Sequence, residues 1–407
     1  MKTPSHPWSF RQRLRTRAFG WRGSKLAIER LKEALGEIKT VARYDPETAA
    51  EGAILLMERL WPALQAVDSS SGALGNATNK TVHELTEILL AAPAEGARLE
   101  RQLDRLWTAI EEDGVDFLSE VRDRWGELCR APARASRAAE DFLPALRLSW
   151  SPEHRGYFKG TTACLSCLLA AGRHQELLDL IETAPFLWWH YRRYGVRALA
   201  AQGRIDEAIR YAEQSLGLND GPSDMARTCE EILLAAGRTE EAYRRFAYTA
   251  NRAGSHLATF RAIKKKYPDK APQAILDDLI AETPGEEGKW FATAKDLGLL
   301  DLALDLARRS PVEIGTLLRA ARDHLDRQPA FTLETATTAL GWMAAGHFYE
   351  LKAGDVWQAM GYALRAAEAL DRVAPTRGLI QALGQDPNTD TFVREQLIHG
   401  TPYVPGR

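Results

Sequence analysis

Apolar residues in this chain recur at steps of three and four and almost never at alternate positions, the signature of helices that bury one face. From Ser24, read as an N-cap, Leu26, Ile28, Leu31, Leu35 and Ile38 form one such face. Asp45-Pro46-Glu47 then stops one helix and starts the next, with Asp45 as cap and Pro46 in the first helical position. That next helix carries Ala50, Ile54, Met57, Leu60, Trp61 and Leu64 inward. Residues 69–76 read as a loop, and further helices are predicted near 81–92, 96–112, 115–129 and 133–146. The joins between them are short, so neighbours should fold back as antiparallel hairpins. The expected class is all-α, with no β-sheet.

Trp150-Ser151-Pro152 with Gly156 marks the expected internal boundary, and beyond it a phrase repeats. Gly203-Arg204-Ile205-Asp206-Glu207-Ala208 and Gly237-Arg238-Thr239-Glu240-Glu241-Ala242 set Ala208 and Ala242 34 residues apart, the period of a two-helix unit. Gly172-Arg173-His174-Gln175-Glu176-Leu177 is an earlier version of it. Gly298-Leu299-Leu300-Asp301-Leu302-Ala303 and Gly354-Asp355-Val356-Trp357-Gln358-Ala359 are later, irregularly spaced ones. After each glycine, read as a tight turn, small residues fall on one face, as in Ala208 and Ala212 or Ala359, Ala363 and Ala366. The irregular spacing implies inserted helices, one of them over 269–282 with Ala274, Ile275, Leu279 and Ile280 apolar. Two short helices, 377–383 and 391–399, and a tail close the chain. The layout expected is a basic arm (1–23), a helical bundle or degenerate repeats (24–150), a repeat region with insertions (151–375), and short helices with a tail (376–407).

Residues 161–254 resemble the tetratricopeptide repeat family, in the small residue opening the second helix (Ala208, Ala242, and again Ala359) and the position four later (Ala212, Phe246, Ala363). The family's aromatic near the start of the first helix is replaced by Arg192 and Ala226, and its unit-ending proline by Asp220 and Gly254. The whole chain is also similar to a group of bacterial helical-repeat proteins, some of which follow a SWIM zinc finger; the C-x-C…C-x-H pattern of that finger does not occur. The resemblance implies an irregular α-solenoid of antiparallel hairpins that binds a partner protein or peptide in a groove lined by the first helix of each unit. Carried across residue by residue, it puts His190, Arg193 and Arg197 on the groove side, with Asp224, Arg227 and Glu231 in the next unit. His190, Arg193, Arg197 and Arg227 are thus the candidate partner-binding residues. The family's groove asparagine is replaced by Arg197 and Glu231, a departure from its carboxylate clamp.

The residues themselves mark the same place. Trp188-Trp189-His190-Tyr191-Arg192-Arg193-Tyr194-Gly195-Val196-Arg197 is the densest aromatic and basic cluster, and Arg193 and Arg197 share one helix face. Guanidinium groups so placed suit a carboxylate or an acidic peptide. The plainer alternative is tryptophans packed between hairpins beside solvated arginines.

Composition narrows the partners. Across 407 residues the net charge is −2, which gives no global attraction to nucleic acid or to an anionic membrane. A local patch would have to supply it. Arg11, Arg13, Arg15, Arg17 and Arg22, interspersed with Trp8, Phe10, Phe19 and Trp21, form either a solvated tail or an arm for an anionic partner. The acid-free segment 9–25 superficially resembles an organellar transit peptide, but the Ala/Arg/Leu-rich remainder reads as bacterial. No apolar run reaches the length of a membrane span, and four cysteines suggest a reducing compartment, so a cytoplasmic protein is expected.

Cys164-Leu165-Ser166-Cys167 has the C-x-x-C form of zinc and redox sites, but no second ligand pair exists and both thiols read more simply as small core residues. His174, His190, His324, His347 and His399 lack metal spacing, and no nucleotide-binding or hydrolase phrase occurs. Glu111, Glu112 and Asp113 read as solvent-facing carboxylates at a helix end. No catalytic residue, metal ligand or cofactor is therefore assigned. The expected function is a non-enzymatic scaffold or adaptor, with a nucleic-acid or acidic-partner adaptor using the arginine arm as the alternative.

Overall fold

The computed structural model describes residues 6–217 and 220–404. Among them every regular element is helical and no strand occurs. The chain divides into two compact units, one ending at Gly237 and the other beginning at Arg238.

The first unit opens with α1 (Phe10–Arg13), α2 (Ser24–Ala42), α3 (Pro46–Leu64), α4 (Ala73–Ala91) and α5 (Gly96–Glu112). Two short helices follow, α6 (Ser119–Asp123) and α7 (Trp125–Leu128), then α8 (Pro132–Ser149), α9 (Thr161–Ala170) and α10 (His174–Glu182). The unit ends with α11 (Trp189–Ala201), α12 (Ile205–Gln214) and α13 (Pro222–Ala235). Packing is between near neighbours in sequence: α2 with α3 and α4, α3 with α5, α9 with α8, α10 and α11, and α11 with α12 and α13. One continuous core runs from Trp8 to Ala198, and Trp150 lies within it, its ring 5.4 Å from that of Tyr191.

The second unit comprises α14 (Thr239–Ala250), α15 (His256–Lys266), α16 (Pro272–Glu282), a 3-10 turn (Glu287–Trp290), α17 (Phe291–Asp296), α18 (Leu300–Arg309), α19 (Ile314–His324), α20 (Pro329–Ala344), α21 (Ala353–Ala369), α22 (Val373–Gln385) and α23 (Thr391–His399). Its largest buried side chains include Trp290, Tyr362, Phe260 and Phe291. The Trp290 indole N–H donates to Thr283 Oγ1 at 2.7 Å, so the polar edge of a wholly buried ring is satisfied. The alanines of α21 that the repeat pattern singled out, Ala359, Ala363 and Ala366, are all fully buried.

The repeated phrase corresponds to one recurring joint. Gly172, Gly203, Gly237 and Gly298 have φ of 72°, 76°, 72° and 77°, left-handed values that favour glycine. In the first two and the last, the glycine N–H and the next N–H turn back onto the preceding helix, as in Gly203 N to Ala200 O (2.9 Å) and Arg204 N to Leu199 O (3.0 Å). This is a Schellman ending, which satisfies carbonyls left open at a helix terminus. Where arginine follows the glycine it pairs with the glutamate three residues on: Arg173 with Glu176, Arg204 with Glu207, Arg238 with Glu241. Gly354 departs from this reading. It lies inside the first turn of α21, and the left-handed glycine of that region is Gly346, φ 73°. The match at Gly354 was to letters without the turn.

Other boundaries differ for identifiable reasons. Asp45 caps α3 as expected, accepting from Thr48 N at 3.0 Å. Ser24 is no cap: it begins α2, and its hydroxyl donates to Asp68 O at 2.7 Å. α4 starts at Ala73 within the expected loop, because Leu74 and Thr78 are buried despite their Gly- and Asn-rich surroundings. The helix expected over 115–129 is two short ones flanking Arg124. Asp113, expected at the surface, is buried and accepts from Leu118 N (2.9 Å) and Val115 N (3.2 Å). The expected tail is held down through residue 404, with Tyr403 N donating to Trp357 O at 3.0 Å.

Trp8, Phe10, Leu14 and Phe19 are buried, so the amino-terminal segment from Trp8 onward is part of the core. The Trp8 indole occupies the space that any side chain at residue 52 would need, on the middle of α3. Arg59 Nη1 donates to Arg11 O at 2.9 Å, Arg17 N donates to Pro62 O at 2.7 Å, and Ser9 N donates to Glu37 at 2.8 Å. Of the four aromatic side chains offered as stacking groups only Trp21, 68 % exposed, faces solvent.

Candidate functional site

The first turn of α11 gathers the predicted cluster into a pocket. Trp188 is extended (φ −100°, ψ 130°) and the helix begins at Trp189, whose N–H donates to Asp220 Oδ2 at 3.0 Å. Asp220, the residue standing where the family would place proline, thus serves as a cap from a distant part of the chain. It also accepts from Gly217 N at 2.8 Å. Trp189, Tyr191, Arg192 and Tyr194 turn inward, leaving His190 and Arg197 exposed and Arg193 half-buried.

Beside this turn lies a cavity of about 390 Å³. α6 and the loop before it contribute Asp116, Arg122 and Asp123; the segment ahead of α9 contributes Tyr157 and Lys159; α11 contributes His190 and Arg193, with Trp188 at its start. Arg193 Nη2 lies 2.6 Å from Asp123 Oδ2, and its guanidinium sits 5.2 Å from the centre of the Tyr194 ring. Tyr194 donates to Asp123 O at 2.9 Å. Arg122 is nearly buried and donates to Tyr157 Oη (2.9 Å) and Lys159 O (2.8 Å), with Asp116 at 3.3 Å. Lys159 Nζ donates to the Asp113 carbonyl at 2.6 Å, so its charge is met by a carbonyl dipole and not by a carboxylate.

At the mouth of the pocket three rings stack in series. Phe186 and Trp188 are 4.8 Å apart at an interplanar angle of 13°, and Trp188 and His190 are 5.4 Å apart at 24°. Phe186 is 41 % and Trp188 38 % exposed, with Leu187 between them at 59 %. Large exposed apolar side chains contiguous with a polar cavity are the usual composition of a recognition surface.

Burial, then the neighbouring Arg193 charge, holds the His190 imidazole below its ordinary pKa. Burial pushes the Tyr191 phenol up to about 12. Burial also opposes the charge on Arg193, but Tyr194 and Asp123 outweigh it and the guanidinium is held more firmly protonated than usual. The site therefore presents a neutral imidazole, two arginines already matched to aspartates, and one lysine without a carboxylate. That arrangement suits hydrogen bonding and stacking more than the capture of a bare anion.

Of the predicted residues, His190 and Arg193 meet in this pocket. Arg197 is one turn further along α11 and does not line it. Arg227 is exposed on α13 and pairs with Asp224 of its own helix at 2.8 Å. In the amino-terminal segment Arg11, Arg13, Arg15, Arg17 and Arg22 are all exposed. Arg13 is paired with Glu33 at 2.8 Å, and Arg15 Nη1 donates to Gln12 O at 3.4 Å. Sequence reasoning missed Arg122, Asp123, Tyr157 and Lys159, which belong to short or irregular segments with no local signal.

Cys129, Cys164, Cys167 and Cys229 are buried free thiols. Cys167 hydrogen-bonds to the Cys129 sulfur, and burial pushes the Cys164 thiol up to about 12. Among the described residues no three His, Cys, Asp or Glu side chains are grouped to hold a metal ion. No helix among them is long and apolar enough to cross a membrane.

No protein-family model matches the chain, and no curated protein is significantly similar to it.

Proposed function

We propose that this chain is a tetratricopeptide-like, irregular α-solenoid of antiparallel hairpins acting as a non-enzymatic cytoplasmic scaffold that binds a partner protein or peptide. The recurring left-handed glycine joint supports the architecture, since equivalent turns are what stacked two-helix units require. So does the packing of α11 on α9 and α13 as well as on its chain neighbours α10 and α12. The observation that carries the binding role is the exposed Phe186–Trp188–His190 stack beside the Arg193 pocket. A partner segment would lay an apolar side chain on the rings and direct a carboxylate toward Lys159 or Arg197.

The test is affinity purification from the native cell with the parent chain, with Trp188→Ala, and with Arg193→Ala/Arg197→Ala. Loss of the same partner from both variants is expected. An unchanged partner set in both would remove the site.

The second reading is an adaptor for nucleic acid or another polyanion. What favours it is that the five arginines between residues 11 and 22 are exposed on a segment fixed to the core, so their charges are held close together. Arg11, Arg15, Arg17 and Arg22 are replaced by glutamine, and binding to DNA and RNA is followed across salt. Absence of salt-dependent binding in the parent chain would eliminate this reading.

A further inference from the structure

A second cavity of about 740 Å³ lies between α5, α7 and α8, within the range of small-molecule sites. Its walls are aromatic. Trp107 meets Trp125 edge-on at 5.3 Å and Phe142 at 4.7 Å, and Phe158 closes the row 6.5 Å from Phe142. The Trp107 indole N–H is directed to Glu111 at 2.9 Å, which fixes the ring.

The charges around these rings are mostly negative. Glu100, Asp104, Glu111 and Asp141 line the cavity against Arg134 and Arg137. Glu100, Asp104 and Asp141 are exposed and enter no ion pair among the described residues. Arg134 Nη1 is committed to the Cys129 carbonyl at 2.8 Å, where it closes the end of α7, and Arg137 is on the exposed rim. Aromatic faces attract cations through their quadrupole, and carboxylates above them add a long-range pull of the same sign. An anion would meet the opposite field.

We propose that this cavity is a binding site for a small organic cation, an ammonium or quaternary ammonium group carried on an apolar body. The body replaces water against Trp107, Trp125 and Phe142, and the charge faces Asp104 and Asp141. The site is separate from the α11 pocket, so its occupancy is independent of the partner-binding reading.

The test is isothermal titration calorimetry of the full chain with three probes sharing a phenyl ring: benzyltrimethylammonium, benzyl alcohol and phenylacetate. The cation should bind saturably and about tenfold or more tightly than the neutral alcohol. Asp104→Asn/Asp141→Asn, on exposed positions that leave the core intact, should weaken the cation by roughly fivefold or more and leave the alcohol unchanged. Trp107→Leu should weaken both. Equal binding of the cation and the alcohol, tighter binding of phenylacetate, no saturable cation binding, or an unaffected Asp104→Asn/Asp141→Asn variant would each overturn the proposal.

Discussion

The Arg193 guanidinium lies 2.6 Å from the Asp123 carboxylate, which joins α11 to the short helix α6 through a pair about three-quarters buried. Arg193 is therefore not a free partner to Arg197 in a two-arginine clamp. Asp123→Asn should destabilise the first unit by about 1–3 kcal/mol, the usual worth of a hydrogen bond to a charged group. It should at the same time raise affinity for acidic peptides by releasing the guanidinium. Urea unfolding and peptide titration measure the two effects; a loss of acidic-peptide binding would contradict this account.

Gly203 and Asp371 make opposite predictions about one backbone conformation. Gly203→Ala places a side chain at φ 76° and should cost roughly 1–2 kcal/mol. Asp371, φ 52°, ends α21 in the same way, with Arg372 N donating to Ala367 O at 2.8 Å. Asp371→Gly should therefore stabilise the second unit by up to about 1 kcal/mol. Denaturant midpoints of the two variants check both signs.

His190 should titrate below 6.5, because burial and then Arg193 disfavour its cation. As pH falls through 6.5 the unfolded chain takes up the proton first, so stability declines between 6.5 and the lower folded value and is unaffected above 6.5. His190→Gln should remove that acid-side decline. A ring-proton NMR midpoint at or above 6.5 would refute the assignment.

All four thiols should resist a maleimide in the native state and react after unfolding, since each cysteine is fully buried. Stoichiometry by mass spectrometry before and after denaturant decides it; rapid native labelling at Cys164 or Cys167 would reopen the C-x-x-C question.

Much of the helical order was legible from apolar periodicity, and the glycine joint was legible wherever glycine precedes a helix at the same offset. The buried face of α2 shows what was not. Ala27 and Ala34 are inside while Leu26 is 47 % exposed, because close helix contact selects small residues that contribute little to hydropathy. The amino-terminal aromatics read as an arm because charge between them masked their inward orientation. At the site, His190 and Arg193 were visible as a local cluster. Asp123 and Arg122 were not, since the pairing that brings them to α11 is tertiary and leaves no trace in local spacing.

The Trp8 ring seated at Gly52 ties the fate of the first described residues to α3. Such a segment does not fray as an ordinary terminus does. Its amides should exchange with solvent only when the α2–α3 pair itself opens, as one cooperative block. Residue 52 consequently sets how tightly the amino-terminal arginines are held: any larger side chain there would displace the indole and release them together.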